Sequence, residues 1–184
     1  MAEHGAPRHL VALAAIGASV GLALAAAPAT PAEYDVKAAM LYNVTRYVRW
    51  NAGAGKDSEA SPIVIGVLGR NPFGSALSDL VSNRAAGGRP LLVRHFETPV
   101  GVEVCHVLFI ARSESEIWRS LLPALERAGV MSVGDSERFV EHGGVMGFVV
   151  RGGKVRLQVN LDAARRAGLA ISSNLLRIAE VMRD

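Results

Sequence analysis

The chain has 184 residues, 50% of them hydrophobic and 20% charged, which suits one globular domain and excludes an intrinsically disordered chain. Its formal charge is +3 with Lys and Arg scattered, and 5% of residues are aromatic, so the basic, base-stacking surface of a nucleic-acid binder is absent. The lone cysteine, Cys105, excludes an intramolecular disulfide and leaves the fold to its core.

Residues 1–32 read as a leader for export. Met1–His9 is polar and carries Arg8, Leu10–Ala27 is an apolar run rich in Ala, and small residues follow. Ala27-Pro28-Ala29 and Thr30-Pro31-Ala32 both fit a small-x-small cleavage site, so the mature chain starts at Thr30 or Glu33, and residues 33–184 form a single domain. An uncleaved anchor is the competing reading, since the 18 residues from Leu10 to Ala27 approach the length that spans a bilayer. Their Ala and Gly content argues against it. No cysteine ends the segment, so a lipoprotein is not expected, and no twin-arginine pair is present.

Tyr34–Trp50 is predicted to be the first helix, capped by Asp35, with Val36, Met40, Val44, Tyr47 and Val48 as its apolar stripe. Tyr42, Tyr47, Arg49 and Trp50 are candidates for a protein interface, because Tyr, Trp and Arg anchor such surfaces; the competing reading is that the rings pack on a sheet. Asn51–Ser61 reads as an exposed loop. Ile63–Leu68 is a central buried strand, and Gly69-Arg70-Asn71-Pro72-Phe73-Gly74 turns it into a helix with Asn71 as N-cap. Gly69, Arg70 and Asn71 are candidates for an anion or ligand site on free amides. Ser75 stands where a P-loop has its Lys, and no Gly-x-Gly-x-x-Gly occurs, so a nucleotide enzyme is not indicated and packing is the default role.

Pro90–Phe96 and Val104–Ala111 are two further strands. A helix over Glu114–Ala128 turns Ile117, Trp118, Leu121, Leu122 and Leu125 inward, and Pro123 predicts a kink or two short pieces. Gly129–Gly134 is a short strand, and Asp135-Ser136 caps a short helix over Glu137–His142. Gly144–Arg151 and Lys154–Asn160 form a hairpin about Gly152-Gly153. Asn160 or Asp162 caps a helix ending at Gly168, and a last helix turns Leu175, Leu176, Ile178, Ala179 and Val181 to the core. The fold class is α/β: a three-layer sandwich with a largely parallel sheet, an antiparallel C-terminal hairpin and helices on both faces.

No set of residues with catalytic spacing survives. His95, His106 and His142, with Asp135 or Glu141, lack the spacing of a metal motif. Ser172 and Ser173 precede a helix without a nucleophile elbow, so capping explains them. Glu137 and Glu141 are one turn apart and read as solvated charge. Cys105 opens an apolar strand and reads as a small buried hydrophobe. The chain is accordingly read as no enzyme, with no cofactor and no metal.

Gly143-Gly144-Val145 through Gln158-Val159-Asn160-Leu161, followed by Ala164, Gly168-Leu169, Ile171-Ser172-Ser173 and Leu175-Leu176, resembles the C-terminal signature of the YfiR-like family of periplasmic proteins. The similarity continues upstream through Val67-Leu68-Gly69, Asn71-Pro72-Phe73-Gly74, Cys105–Ile110 and Val133-Gly134-Asp135, and spans Tyr34 to the end. It implies a periplasmic regulator that binds and represses the periplasmic domain of an inner-membrane diguanylate cyclase, lowering cyclic di-GMP and with it biofilm formation. It further implies an outer-membrane lipoprotein of the same system as a second partner, and a homodimer. Some relatives pair cysteines internally; this chain has one, so a redox switch does not carry over. The alternative function is a periplasmic small-ligand sensor using the crevice at the carboxyl ends of the parallel strands.

Overall fold

A computed structural model describes residues 1, 30–50 and 61–183; the bulk of the expected leader and of the loop over Asn51–Ser61 lies outside the described residues. Helix α1 spans Pro31–Thr45 and strand β1 spans Val48–Trp50. There follow β2 (Ile63–Leu68), α2 (Ala76–Val81), β3 (Ala85–Ala86), β4 (Arg89–Phe96), β5 (Val107–Ile110), α3 (Trp118–Arg127) and β6 (Met131–Gly134). The chain ends in β7 (Met146–Arg151), β8 (Lys154–Asn160), α4 (Leu161–Arg166), β9 (Leu169–Ile171), α5 (Ser173–Leu176) and β10 (Glu180–Met182).

One eight-stranded sheet runs β10-β8-β7-β6-β5-β2-β4-β3. Strands β4, β2, β5, β6 and β7 are mutually parallel, and β7 turns back antiparallel into β8. Arg151 pairs with Lys154 across Gly152 (φ 57°) and Gly153 (φ 71°), the two positive φ values that a type I′ turn demands. The period-2 alternation of β5 divides the core. Val107 and Phe109 point to the layer of α1, α2 and α4, while Leu108 and Ile110 point to the layer of α3. The sheet is thus covered on both faces, as its near-continuous apolar strands require.

Several local expectations are corrected. Thr30, not Asp35, caps α1, and the helix stops at Thr45 because Val48–Trp50 pairs antiparallel with β9 in a separate ribbon. Val36 lies outside the buried stripe, at 45% exposure, and Lys37 lies inside it. Helix α2 starts at Ala76, not at Pro72; Asn71 instead closes the preceding turn, accepting from the Phe73 amide and donating to the Gly74 carbonyl. The helix expected over Glu114–Ala128 starts only at Trp118, after a 3-10 turn over Arg112–Glu114, and α3 runs through Pro123 without being divided there. Residues 137–142 form turns rather than a helix, since Arg138 adopts φ 55° and interrupts any helical run. The last helix is only the turn α5. Leu175 is buried, but Ile178 is 74% exposed and Val181 belongs to β10, an edge strand parallel to β8.

Candidate functional site

Strand β6 is buried along its length and ends at Gly134, so the next residue, Asp135, emerges at the carboxyl end of the sheet. Its carboxylate is nevertheless fully enclosed. Phe139 folds back over the strand end, where a Cβ on Gly134 would lie 2.7 Å from its ring and one on Gly144 2.2 Å, so glycine at both positions admits it. Three side chains converge on Asp135, and a fourth, Glu33, reaches the cluster through Lys37. Lys37, one helical turn beyond Glu33, places its Nζ 2.5 Å from Asp135 Oδ2 and 2.6 Å from Glu33 Oε1. The Tyr34 hydroxyl donates to Asp135 Oδ2 at 2.9 Å, and Arg112 Nε donates to the Asp135 carbonyl at 3.1 Å with Oδ2 at 3.4 Å. Lys37 also lies over the Tyr34 ring, 4.3 Å from its centre.

The electrostatics are closed within this cluster. Two cations, Lys37 and Arg112, face two carboxylates, Glu33 and Asp135, which is the condition under which buried charge is tolerated. Burial, and then the charge and hydrogen bond of Asp135, push the Tyr34 phenol well above its ordinary value, so it acts as a donor and not as a base. Asp135 Oδ1 is buried with no hydrogen-bond partner among the described residues. Glu33 Oε1 also lacks a hydrogen bond, yet at 2.6 Å from the Lys37 ammonium it is charge-paired. The arrangement braces the first turn of α1 against β6; it presents no activated nucleophile.

Outside this brace lies an open cleft of about 1180 Å³. Val36, Phe148, Val149, Val150 and Val155 give it an apolar wall, and Glu33, Arg112, Glu137 and Lys154 a charged rim. It occupies the carboxyl end of the sheet beside the β7–β8 hairpin. The crevice between β2 and β5, where the chain reverses direction across the sheet, is filled. The Arg70 amide donates to Ser113 Oγ at 2.9 Å, and a Cβ on Gly69 (φ 86°) would meet Ser113 Oγ and Glu114 Oε1 at 2.4 Å.

The ligand candidates Gly69, Arg70 and Asn71 therefore stand where amides already have acceptors: Gly69 N on Phe96 O at 2.8 Å, Arg70 N on Ser113, and Phe73 N on Asn71. The interface candidates are spread out. Tyr42 is buried in the core under the Arg84 guanidinium, and Tyr47 packs on that core half-buried. Arg49 is exposed on β1. Trp50 is half-buried, its indole N–H donating to the His106 carbonyl at 3.0 Å and its ring edge-on to the imidazole at 5.4 Å. His106 precedes β5, so this group sits at the amino end of the parallel strands, across the sheet from the cleft.

Sequence reasoning missed Tyr34, Lys37 and Arg112 and took Asp135 for a cap. The available signal was the Glu33–Lys37 spacing of four residues on a helix whose other face is apolar. Among the described residues no three His, Cys, Asp or Glu side chains are placed to hold a metal, and no helix is long and apolar enough to cross a membrane.

A family model described as YfiR/HmsC-like matches residues 34–180. Among solved structures, the chain is similar to a conserved domain protein from Vibrio cholerae, with 16% identity and a TM-score of 0.52 over 82% of this chain and 60% of that one. The chain thus spans 60% of that protein's length, and the likeness concerns the fold alone. No curated protein matches the chain.

Proposed function

The chain belongs to the YfiR/HmsC-like family, and from that membership we propose that it is an exported regulator that works in the periplasm by binding another protein. Its partner is the periplasmic domain of an inner-membrane diguanylate cyclase, which it represses, lowering cyclic di-GMP. The family match over residues 34–180 carries this reading. The geometry supports it from the side of chemistry: the buried ionic cluster at the end of β6 pairs its two cations with its two carboxylates as a brace, and repression by contact needs a surface rather than a reaction. The exposed Arg49, with the accessible parts of Tyr47 and Trp50, belongs to that surface; Tyr42, being buried, supports it from beneath. An outer-membrane lipoprotein of the same system is its second partner, and the active species is a homodimer.

The test is a pull-down with the purified periplasmic domain of the co-encoded cyclase, alongside cyclic di-GMP measured in a strain lacking this protein. Retention of the domain and a rise in cyclic di-GMP support the reading; no retention and no rise refute it. A second reading, a periplasmic small-ligand sensor, is favoured by one observation, the open cleft at the carboxyl ends of β5 and β6 with its apolar wall and charged rim. A small molecule carried through purification in that cleft would move this reading ahead.

A further inference from the structure

We propose that the cleft at the carboxyl end of the sheet binds a small apolar molecule through one uncharged carboxamide, with Asp135 Oδ1 accepting its N–H and Arg112 donating to its carbonyl. This ligand chemistry rests on the sensor reading of the same cleft, and the cyclase reading stands without it. A buried acceptor with nothing to accept carries the proposal. Asp135 lines the cleft and its side chain is fully enclosed, yet Oδ1 has no hydrogen-bond partner among the described residues. Oδ2, by contrast, is crowded: Lys37, Tyr34 and Arg112 approach it at 2.5, 2.9 and 3.4 Å. A buried polar atom left unpaired costs free energy, so such an atom calls for a ligand or a water to complete it.

Charge and hydrogen-bonding capacity define the missing partner. An ionised carboxylate only accepts, so the group that meets Oδ1 must donate an N–H or O–H. Arg112 Nε is engaged by the Asp135 carbonyl at 3.1 Å, while its terminal nitrogens, which only donate, have no hydrogen-bond partner among the described residues. One ligand group must therefore offer a donor and an acceptor side by side. That group carries no net charge. In the cleft and the brace behind it Lys37, Arg112 and Lys154 stand against Glu33, Asp135 and Glu137, three cations to three carboxylates, so an added ion would enter without a counter-charge. A primary amide supplies both functions uncharged. The wall sets the rest of the ligand. Val36 and Val150 are 45% and 48% exposed, and with Phe148 and Val155 they offer a surface that an apolar body removes from water.

Hexanamide, hexanoate and hexylamine share an apolar chain and differ in head group, so at pH 7 they separate the chemistry. Titrated to about 10 mM into the purified, isotope-labelled chain, hexanamide is expected to shift the backbone NMR signals of Val36, Asp135, Val150 and Val155, with a Kd of about 1 mM for so small a ligand. Hexanoate and hexylamine should bind at least about tenfold more weakly. Arg112→Met should weaken hexanamide about fivefold, the worth of one hydrogen bond. Val150→Asp charges an exposed part of the wall and should abolish the shifts without changing the melting temperature. Hexanoate or hexylamine binding as tightly as hexanamide overturns the amide and leaves a sensor standing, as does an Arg112→Met chain that binds hexanamide at full strength. Shifts that persist in a folded Val150→Asp chain place the probe elsewhere and overturn the site. No shift from any of these probes leaves Oδ1 to a buried water and overturns both the ligand and the sensor reading of this cleft.

Discussion

Lys37 and Asp135 are 98 positions apart in the chain, yet their charged atoms meet at 2.5 Å with neither side chain exposed to solvent. The contact ties the second turn of α1 to the end of β6, and so joins the amino-terminal helix to the middle of the sheet. Breaking one partner of such a pair leaves the other buried with only its second partner, Glu33 for Lys37 or Arg112 for Asp135, at a cost of up to about 3–5 kcal/mol. Lys37→Met and Asp135→Leu should each lose stability of that order in urea unfolding. The double variant should lose clearly less than the sum. Additive losses would show that the two residues do not act as a pair.

Alkaline stability should report the burial of the Tyr34 phenol and, with it, its contact with Asp135. The folded state holds the Tyr34 phenol above its ordinary value of 10.0, so it binds this proton more tightly than the unfolded chain does. The corresponding stabilisation is complete below pH 10 and is lost as pH rises from there toward the folded value. Tyr34→Phe should cost about 1.5–3 kcal/mol at pH 7, the worth of a hydrogen bond to a charged group, and the gap to wild type should close above pH 10. A gap constant from pH 7 to 11 would remove the bond from the account.

The carboxyl-terminal segment separates packing from hydropathy. Leu175 is 2% exposed, so Leu175→Ala should cost about 2–5 kcal/mol. Ile178, equally apolar in sequence, is 74% exposed, and Ile178→Ala should stay within about 0.5 kcal/mol of wild type. Equal losses by chemical denaturation would restore a continuous helix packed through Ile178.

Within the proposed contact surface, Arg49 and Trp50 should behave differently. Arg49 is exposed, so Arg49→Ala should leave the melting temperature nearly unchanged while weakening capture of the cyclase domain. Trp50 is held by His106, and Trp50→Ala should lower stability as well, by about 1–3 kcal/mol for the lost hydrogen bond and ring packing. Full binding by a folded Arg49→Ala variant would take this strand out of the interface.

Local chemistry alone determined much of this protein. Gly152-Gly153 between two β-rich runs dictates a hairpin because glycine alone takes two positive φ values without cost, and Asn160 caps α4 because its side-chain oxygen reaches the Ala163 amide within one turn. The apolar runs Ile63–Leu68 and Val107–Ile110 read as central strands because no surface strand tolerates such continuity. Tertiary structure decided the rest. Val48–Trp50 and Glu180–Met182 are strands only because β9 and β8 offer them hydrogen-bond partners, and short segments of mixed propensity follow the partner available. Lys37 looks in sequence like a solvated charge; what buries it is a carboxylate delivered from 98 residues away, and no pattern in the helix itself encodes that meeting.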